Sequence, residues 1–244
     1  MASTPHVLPC LIAGDLADLG DTVCVWAHPD DETYLCGGTM AALTQAGRRV
    51  VCVTATRGEA GGQLPAPALA ALRTRELDAA LAVLGVSEHH WLDVPDGACA
   101  EIDPATPVDA IAAVLGDVRP ATVLTFGSDG LTGHPDHRAV SGWTGSALAR
   151  SGLDEVRLLH AATTWEHRAA HGAWERRLGV HVGTPARPTD PADLGLHARL
   201  SGDLLDRKVA ALGCQASQTD PLRAEIGDER FRAWVATEVF RRPQ

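Results

Sequence analysis

Two short, continuously apolar runs at residues 23–27 and 50–55 flank a stretch over 38–45 that is suited to a helix and closed by Gly47. Continuous apolar runs of that length read as strands buried on both faces. A strand, a helix and a strand so close together form a βαβ unit, which makes the two strands parallel. Further strands are expected at 90–94, 122–126 and 156–162. Helices are expected at 69–84, 106–116, 136–149, 165–177 and 200–212, with a final helix, or a helix then a strand, at 226–240. The chain therefore reads as an α/β protein, a three-layer sandwich around a mainly parallel, Rossmann-like sheet, in a single domain over residues 1–244. Residues 1–21 read as a loose lead-in with an apolar segment at 7–12, where Asp15 and Asp18 mark a short helix or turn. The Pro-rich stretch 181–191 reads as a loop or extended strand that walls a pocket.

Sheets of this kind bind ligands at the carboxyl ends of their strands. The first strand ends in Ala27-His28-Pro29-Asp30-Asp31-Glu32, and the strand at 122–126 is followed by Gly133-His134-Pro135-Asp136-His137-Arg138. Together the two segments supply the parts of a mononuclear metal hydrolase. A catalytic zinc site takes three protein ligands and leaves one position open. His28 and Asp31, three apart, can turn back onto one ion, and His137 completes the set. Asp30 must project differently from Asp31, which makes it the candidate general base. His134 is placed to donate to a developing oxyanion. Asp136 is placed to orient His134 and hold it protonated. Zinc suits two histidines and a carboxylate, and so does iron(II). The plainer alternative is a pair of polar turns with helix-capping aspartates. A Pro-fixed turn after an apolar strand, occurring twice, argues against it.

The formal charge of -10 excludes the basic surface that nucleic acid or an anionic membrane would require. With 45% hydrophobic and 21% charged residues, the composition is that of an ordinary soluble globular protein. The six cysteines form no C-x-x-C pair, and Cys24 and Cys52 fall inside strand runs as small hydrophobes. No basic, then apolar, leader opens the sequence and no stretch is fit to span a bilayer, so the expected location is the cytoplasm. Neither G-x-G-x-x-G nor a Walker lysine follows a strand, which disfavours a dinucleotide enzyme.

The sequence resembles the PIG-L (LmbE-like) family of zinc-dependent deacetylases of N-acetylglucosaminyl compounds. The resemblance rests on the two segments above, the second extended back to Asp129, on Thr56-Arg57-Gly58-Glu59, on the pattern around Arg73, Glu76 and Leu84-Gly85-Val86, and on Lys208 to Gln218. It implies His28, Asp31 and His137 as metal ligands, Asp30 as base and His134 as oxyanion stabiliser or acid. It also implies a small-molecule amino-sugar or glycoconjugate substrate. Gln215 stands where the family often has His, which puts a contribution of that segment to the site in doubt. Two alternatives remain open at this point: an amidase of thiol conjugates, and a metal- or sugar-binding module without turnover.

Several other residues carry expectations. Arg57, in a Gly-rich loop at the second strand's end, is placed to reach a substrate, and so is Glu59. Asp96, at the next strand end, is placed for sugar hydroxyls, although a turn-forming role explains it slightly better. Arg73 and Glu76, three apart on a helix, read as a surface pair. His167 and His171, four apart, read as a solvated helix face because no zincin glutamate follows His167.

Overall fold

The structure, a computed structural model, describes residues 16–243. The apolar segment at 7–12 and Asp15 lie outside the described residues, while Asp18 falls in a short 3-10 turn, Ala17–Leu19. Among the described residues seven strands form one sheet: β1 (Thr22–Trp26), β2 (Val50–Thr54), β3 (Glu88–Trp91), β4 (Thr122–Phe126), β5 (Arg157–Ala161), β6 (Leu194–Arg199) and β7 (Thr237–Arg241), in the order β3-β2-β1-β4-β5-β7-β6. The first five run parallel; β7 is antiparallel to both its neighbours. Every residue of β1, β2 and β4 is buried, as their unbroken apolar runs require of central strands.

From β1 the chain steps outward to β2 and β3, then returns to place β4 on the other side of β1. Right-handed crossovers put the outward helices, α1 (Asp31–Gln45) and α2 (Ala66–Leu84), in one layer. The later crossovers put α3 (Ala105–Val118) and α4 (Pro135–Ser151) in the other layer. Helix α6 (Gly202–Cys214) joins the first layer against α1 and α2. The reversal leaves a crevice beyond the carboxyl ends of β1 and β4, the two strands that carry the His-Pro-Asp segments.

Three elements depart from the sequence reading. Helix α1 begins at Asp31, not near Gly38, so the first segment runs straight into the helix, with Asp31 and Glu32 in its opening turn. The helix is broken at Cys36 (φ -143°, ψ 20°), and the freed N–H groups of Gly38 and Thr39 donate to Glu238 of β7, each at 2.8 Å. Lys208 of α6 pairs with Glu238 at 2.8 Å and donates to the Tyr34 carbonyl at 2.7 Å. Gly38 leaves room for Leu200: a Cβ there would lie 2.3 Å from a Leu200 methyl, so a larger residue requires that side chain to move. Second, α7 (Ala216–Ile226), which was not expected, forms despite Pro221; the region 226–240 after it is the helix-then-strand alternative, α8 (Asp228–Val235) and β7. Third, β6 was not expected, although Leu194, Leu196 and Ala198 are buried in strict alternation. Helix α5 (Trp165–Arg177) lies where the sequence put it. Among the described residues no helix is long and apolar enough to cross a membrane.

The Lys208–Glu238 pair is fully enclosed. Lys208→Met leaves a buried carboxylate without its counter-charge and is expected to cost about 3–5 kcal/mol. Urea unfolding measures this, and a loss under about 1 kcal/mol contradicts the role given to the pair.

Candidate active site

The turn after β1 is tightly specified. Asp30 adopts φ 112°, a conformation that non-glycine residues rarely hold and that costs of order 1–3 kcal/mol. Its N–H donates to the Glu32 carboxylate at 2.9 Å, and its carbonyl accepts from Thr33 and Tyr34. Arg73, buried on α2, donates to the Pro29 carbonyl, to the Gly58 carbonyl at 2.9 Å and to the Asp30 carboxylate at 3.2 Å. The expected surface pair of Arg73 and Glu76 does not form; Glu76 instead accepts from Ser217. Gly58 makes room for Arg73, since its φ is +66° and a Cβ would lie 2.2 Å from the guanidinium. Gln215 donates to Glu32 at 2.7 Å, so the segment that departs from the family pattern does reach the turn.

The second segment opens α4. The two segments bring three donor groups into a triangle, with the Asp31 carboxylate facing each imidazole through a different oxygen. His28 Nδ1 lies 3.2 Å from His137 Nε2 and 3.6 Å from Asp31 Oδ2, and His137 Nε2 lies 3.5 Å from Asp31 Oδ1. Donors of a tetrahedral zinc with bonds of about 2.0–2.2 Å stand roughly 3.3–3.6 Å apart, so the set fits such an ion. The far nitrogens are also fixed. His28 Nε2 faces Asp96 at 3.1 Å and Asp136 at 3.3 Å, and His137 Nδ1 lies 3.0 Å from the Gly130 carbonyl. Each ring thereby donates outward and points its lone pair into the triangle, the arrangement found at histidine metal ligands. His137 also stacks on Phe126, with ring centroids 4.0 Å apart. His28 belongs to two other groupings whose donor atoms lie within 4.8 Å of one another: one with His134 and His137, one with Asp96 and Asp136.

The charges follow from burial and crowding. Burial alone would lower the His28 pKa, but hydrogen bonds to Asp136, Asp31 and Asp96 outweigh it and raise the ring well above its ordinary value. Burial pushes Asp30 up to about 7 against the pull of Arg73, with Asp31 and Glu32 adding to the rise. Burial likewise opposes ionisation of Asp31, yet His137 and His28 hold it down to about 2. Burial lowers His137 to about 4.

Asp136 departs from its expected role. Its carboxylate faces His28 and accepts from the backbone of Gly97 (2.8 Å) and Cys99 (3.2 Å); only its own N–H reaches His134, at Nδ1, 3.1 Å away. His134 is not held protonated: burial and the charge on His28 lower its pKa. With Nδ1 accepting, the neutral ring carries its proton on Nε2, so it remains a donor. Asp96 contacts His28 and accepts from Ala60 N–H at 2.8 Å. Arg57 is not brought to the cluster: it stacks over Trp91 at 4.3 Å and pairs with Asp93 at 2.7 Å. Glu59 accepts from the Asp96 N–H at 3.0 Å and so acts on the loop rather than in the cavity.

These residues floor a cavity of about 750 Å³, whose far wall comes from α5, the segment 178–182 and α8. His167 belongs to that wall, so the solvated face expected for it is corrected: it lies 3.1 Å from the buried Glu175. His171 lines a smaller pocket of about 270 Å³ beside it.

Similarity to known proteins extends over most of the chain. Residues 23–148 match the family described as GlcNAc-PI de-N-acetylase, PIG-L. The chain belongs to the PIG-L family. A 1D-myo-inositol 2-acetamido-2-deoxy-alpha-D-glucopyranoside deacetylase of Kineococcus radiotolerans is 37% identical over 174 residues, 58% of this chain; the chain spans about half of that relative's length (48%). The enzyme of the same name from Acidothermus cellulolyticus is 33% identical over 231 residues, covering 80% of this chain and 78% of the relative. Among solved structures, the N,N'-diacetylchitobiose deacetylase of Pyrococcus horikoshii superposes with a TM-score of 0.65 at 21% identity, covering 97% of this chain and 88% of that one. At that identity the likeness shows the fold. The PIG-L match ends in α4, so the far wall of the cavity lies outside it.

His137→Ala removes one corner of the triangle, and the purified variant is expected to hold well under one zinc per chain by elemental analysis. Asp136→Asn leaves the three donors but weakens the anchor of His28, so zinc affinity measured by chelator competition should fall about 10–100-fold. Unchanged affinity contradicts the orientation assigned to His28.

Proposed function

We propose that this chain is a zinc-dependent N-deacetylase of N-acetylglucosaminyl conjugates, with one domain carrying the whole site. The observation that carries the reading is the donor triangle of His28, Asp31 and His137, with Asp30 on one side and His134 at 4.8 Å centroid distance from His28. When bound there, zinc supplies a Lewis acid that polarises the acetyl carbonyl and acidifies water. Iron(II) suits the same donors, and metal analysis of the isolated protein distinguishes the two.

The protein's own groups account for the remaining steps. Asp30, half-buried and raised towards neutrality, accepts the proton of the water that attacks the acetyl carbon. Arg73 holds the Asp30 carboxylate and the Pro29 carbonyl, and so fixes the direction from which the proton is taken. His134 donates its Nε2–H to the carbonyl oxygen as negative charge gathers on it. The C–N bond then breaks, the amine nitrogen takes up a proton from Asp30 or His134, and acetate and the free amino sugar leave. A module that only bound metal or sugar would have no use for a strained, desolvated carboxylate beside the donors. The relatives are named for a glucosaminide of myo-inositol, and α-linked glucosaminides of that kind are the first substrates to test.

The test is acetate release from N-acetylglucosamine and a panel of its glycosides, with zinc-loaded and chelated protein. Metal-dependent acetate from any member is expected. No acetate from protein holding one zinc per chain overturns the reading. Asp30→Asn should keep its zinc while kcat falls about 10²–10⁴-fold, and near-normal turnover would remove Asp30 from the role of base.

A further inference from the structure

The far wall of the cavity holds a polar cluster that the reaction itself does not use. Glu175 of α5 is 4% exposed. One of its oxygens accepts from Trp234 Nε1 at 2.9 Å and lies 3.1 Å from His167 Nε2; the other lies 3.4 Å from His181 Nε2. Burial works against its charge, but His167, His181 and Trp234 hold the carboxyl far below its ordinary range. An ionised carboxylate only accepts, so both imidazoles must turn an Nε2–H towards it. A neutral ring turned this way carries its lone pair on Nδ1. The Nδ1 of His181 is enclosed and has no hydrogen-bond partner in the protein. His167, His181, Leu178, Val180 and Trp234 all line the same cavity as the donor triangle.

We propose that His167 and His181, positioned by Glu175, are specificity-determining residues that accept hydrogen bonds from hydroxyl groups of the group attached to the N-acetylglucosaminyl ring. This rests on the deacetylase reading and deepens it. The chemistry selects a hydroxylated partner. Glu175 already has three donors, so it offers no free charge to an amine, and the imidazole acceptors have nothing to give an anion or a plain hydrocarbon. Leu178, Val180 and Trp234 supply the apolar surface against which the C–H face of a hydroxylated ring packs. These residues all follow the family-matched region 23–148, so this chain can set its own preference there while sharing the metal end with its family.

The test is the ratio of kcat/KM for a glycoside with a hydroxylated ring aglycone to that for free N-acetylglucosamine, measured on zinc-loaded protein. His181→Phe is expected to lower this ratio about 3- to 10-fold, the size of one lost neutral hydrogen bond. His181→Asn, whose amide oxygen can stand where Nδ1 stood, is expected to recover most of it. His167→Leu, at a partly exposed position, tests the same ratio independently of how the segment around His181 tolerates change. An unchanged ratio in both His181→Phe and His167→Leu overturns the subsite while leaving the deacetylase standing. Acetate from neither substrate with wild-type protein overturns both.

Discussion

His28 is pressed between carboxylates on both edges of its ring, and the site depends on that crowding. Asp31 lies on the Nδ1 side; Asp96 and Asp136 lie on the Nε2 side. Asp30 and the buried Glu32 add to the negative charge, and Arg73 is the cation set against it. Buried charges of one sign are costly unless a counter-charge joins them. The cluster therefore favours a cation at its centre, and the raised pKa of His28 is the same preference expressed through a proton. A divalent ion in the triangle answers the excess more fully, and it leaves His28 neutral because the outer carboxylates keep the remaining proton on Nε2.

That arrangement is held from a distance. The turn bearing Asp30 is locked by Arg73 from α2 and by Glu32, which Gln215 in turn engages at the junction of α6 and α7. The helix that starts on Asp31 is broken one turn later, and the break is capped by Glu238 and Lys208 from the last third of the chain. The later elements thus serve the first turn as well as the far wall of the cavity. Arg241 of β7 likewise pairs with Asp129 at 2.8 Å, tying the loop that delivers His134 and His137.

Much of this could be read in the sequence because it is local. The unbroken apolar runs gave β1, β2 and β4 and put each His-Pro-Asp segment after a strand; that β1 and β4 are neighbours is seen only in the sheet. The proximity of His28, Asp31 and His137 follows from that placement. The misreadings concern long-range partners. Asp136 was assigned to His134, its neighbour in sequence, whereas its carboxylate faces His28, which is 108 positions away. Arg73 looked like half of a surface pair, although it falls on the same helix stripe as the buried Leu69 and Leu77, a spacing that could have placed it inside. His181 opens the stretch expected to wall a pocket, and it does line the cavity; its pairing with Glu175 and Trp234 had no signal, because a polar cluster drawn from a helix, a loop and a second helix leaves no period in the chain. β6 showed its alternation but followed a Pro-rich stretch that masked it.

The central claim is that one ion sits among His28 Nδ1, His137 Nε2 and the Asp31 carboxylate. Anomalous diffraction at the zinc edge from crystals of the zinc-loaded protein tests it most directly. The account predicts a single strong peak about 2.0–2.2 Å from all three groups. A peak on the opposite edge of His28, between Nε2, Asp96 and Asp136, would contradict it, because the carboxylates assigned to orient the ring would then be the ligands.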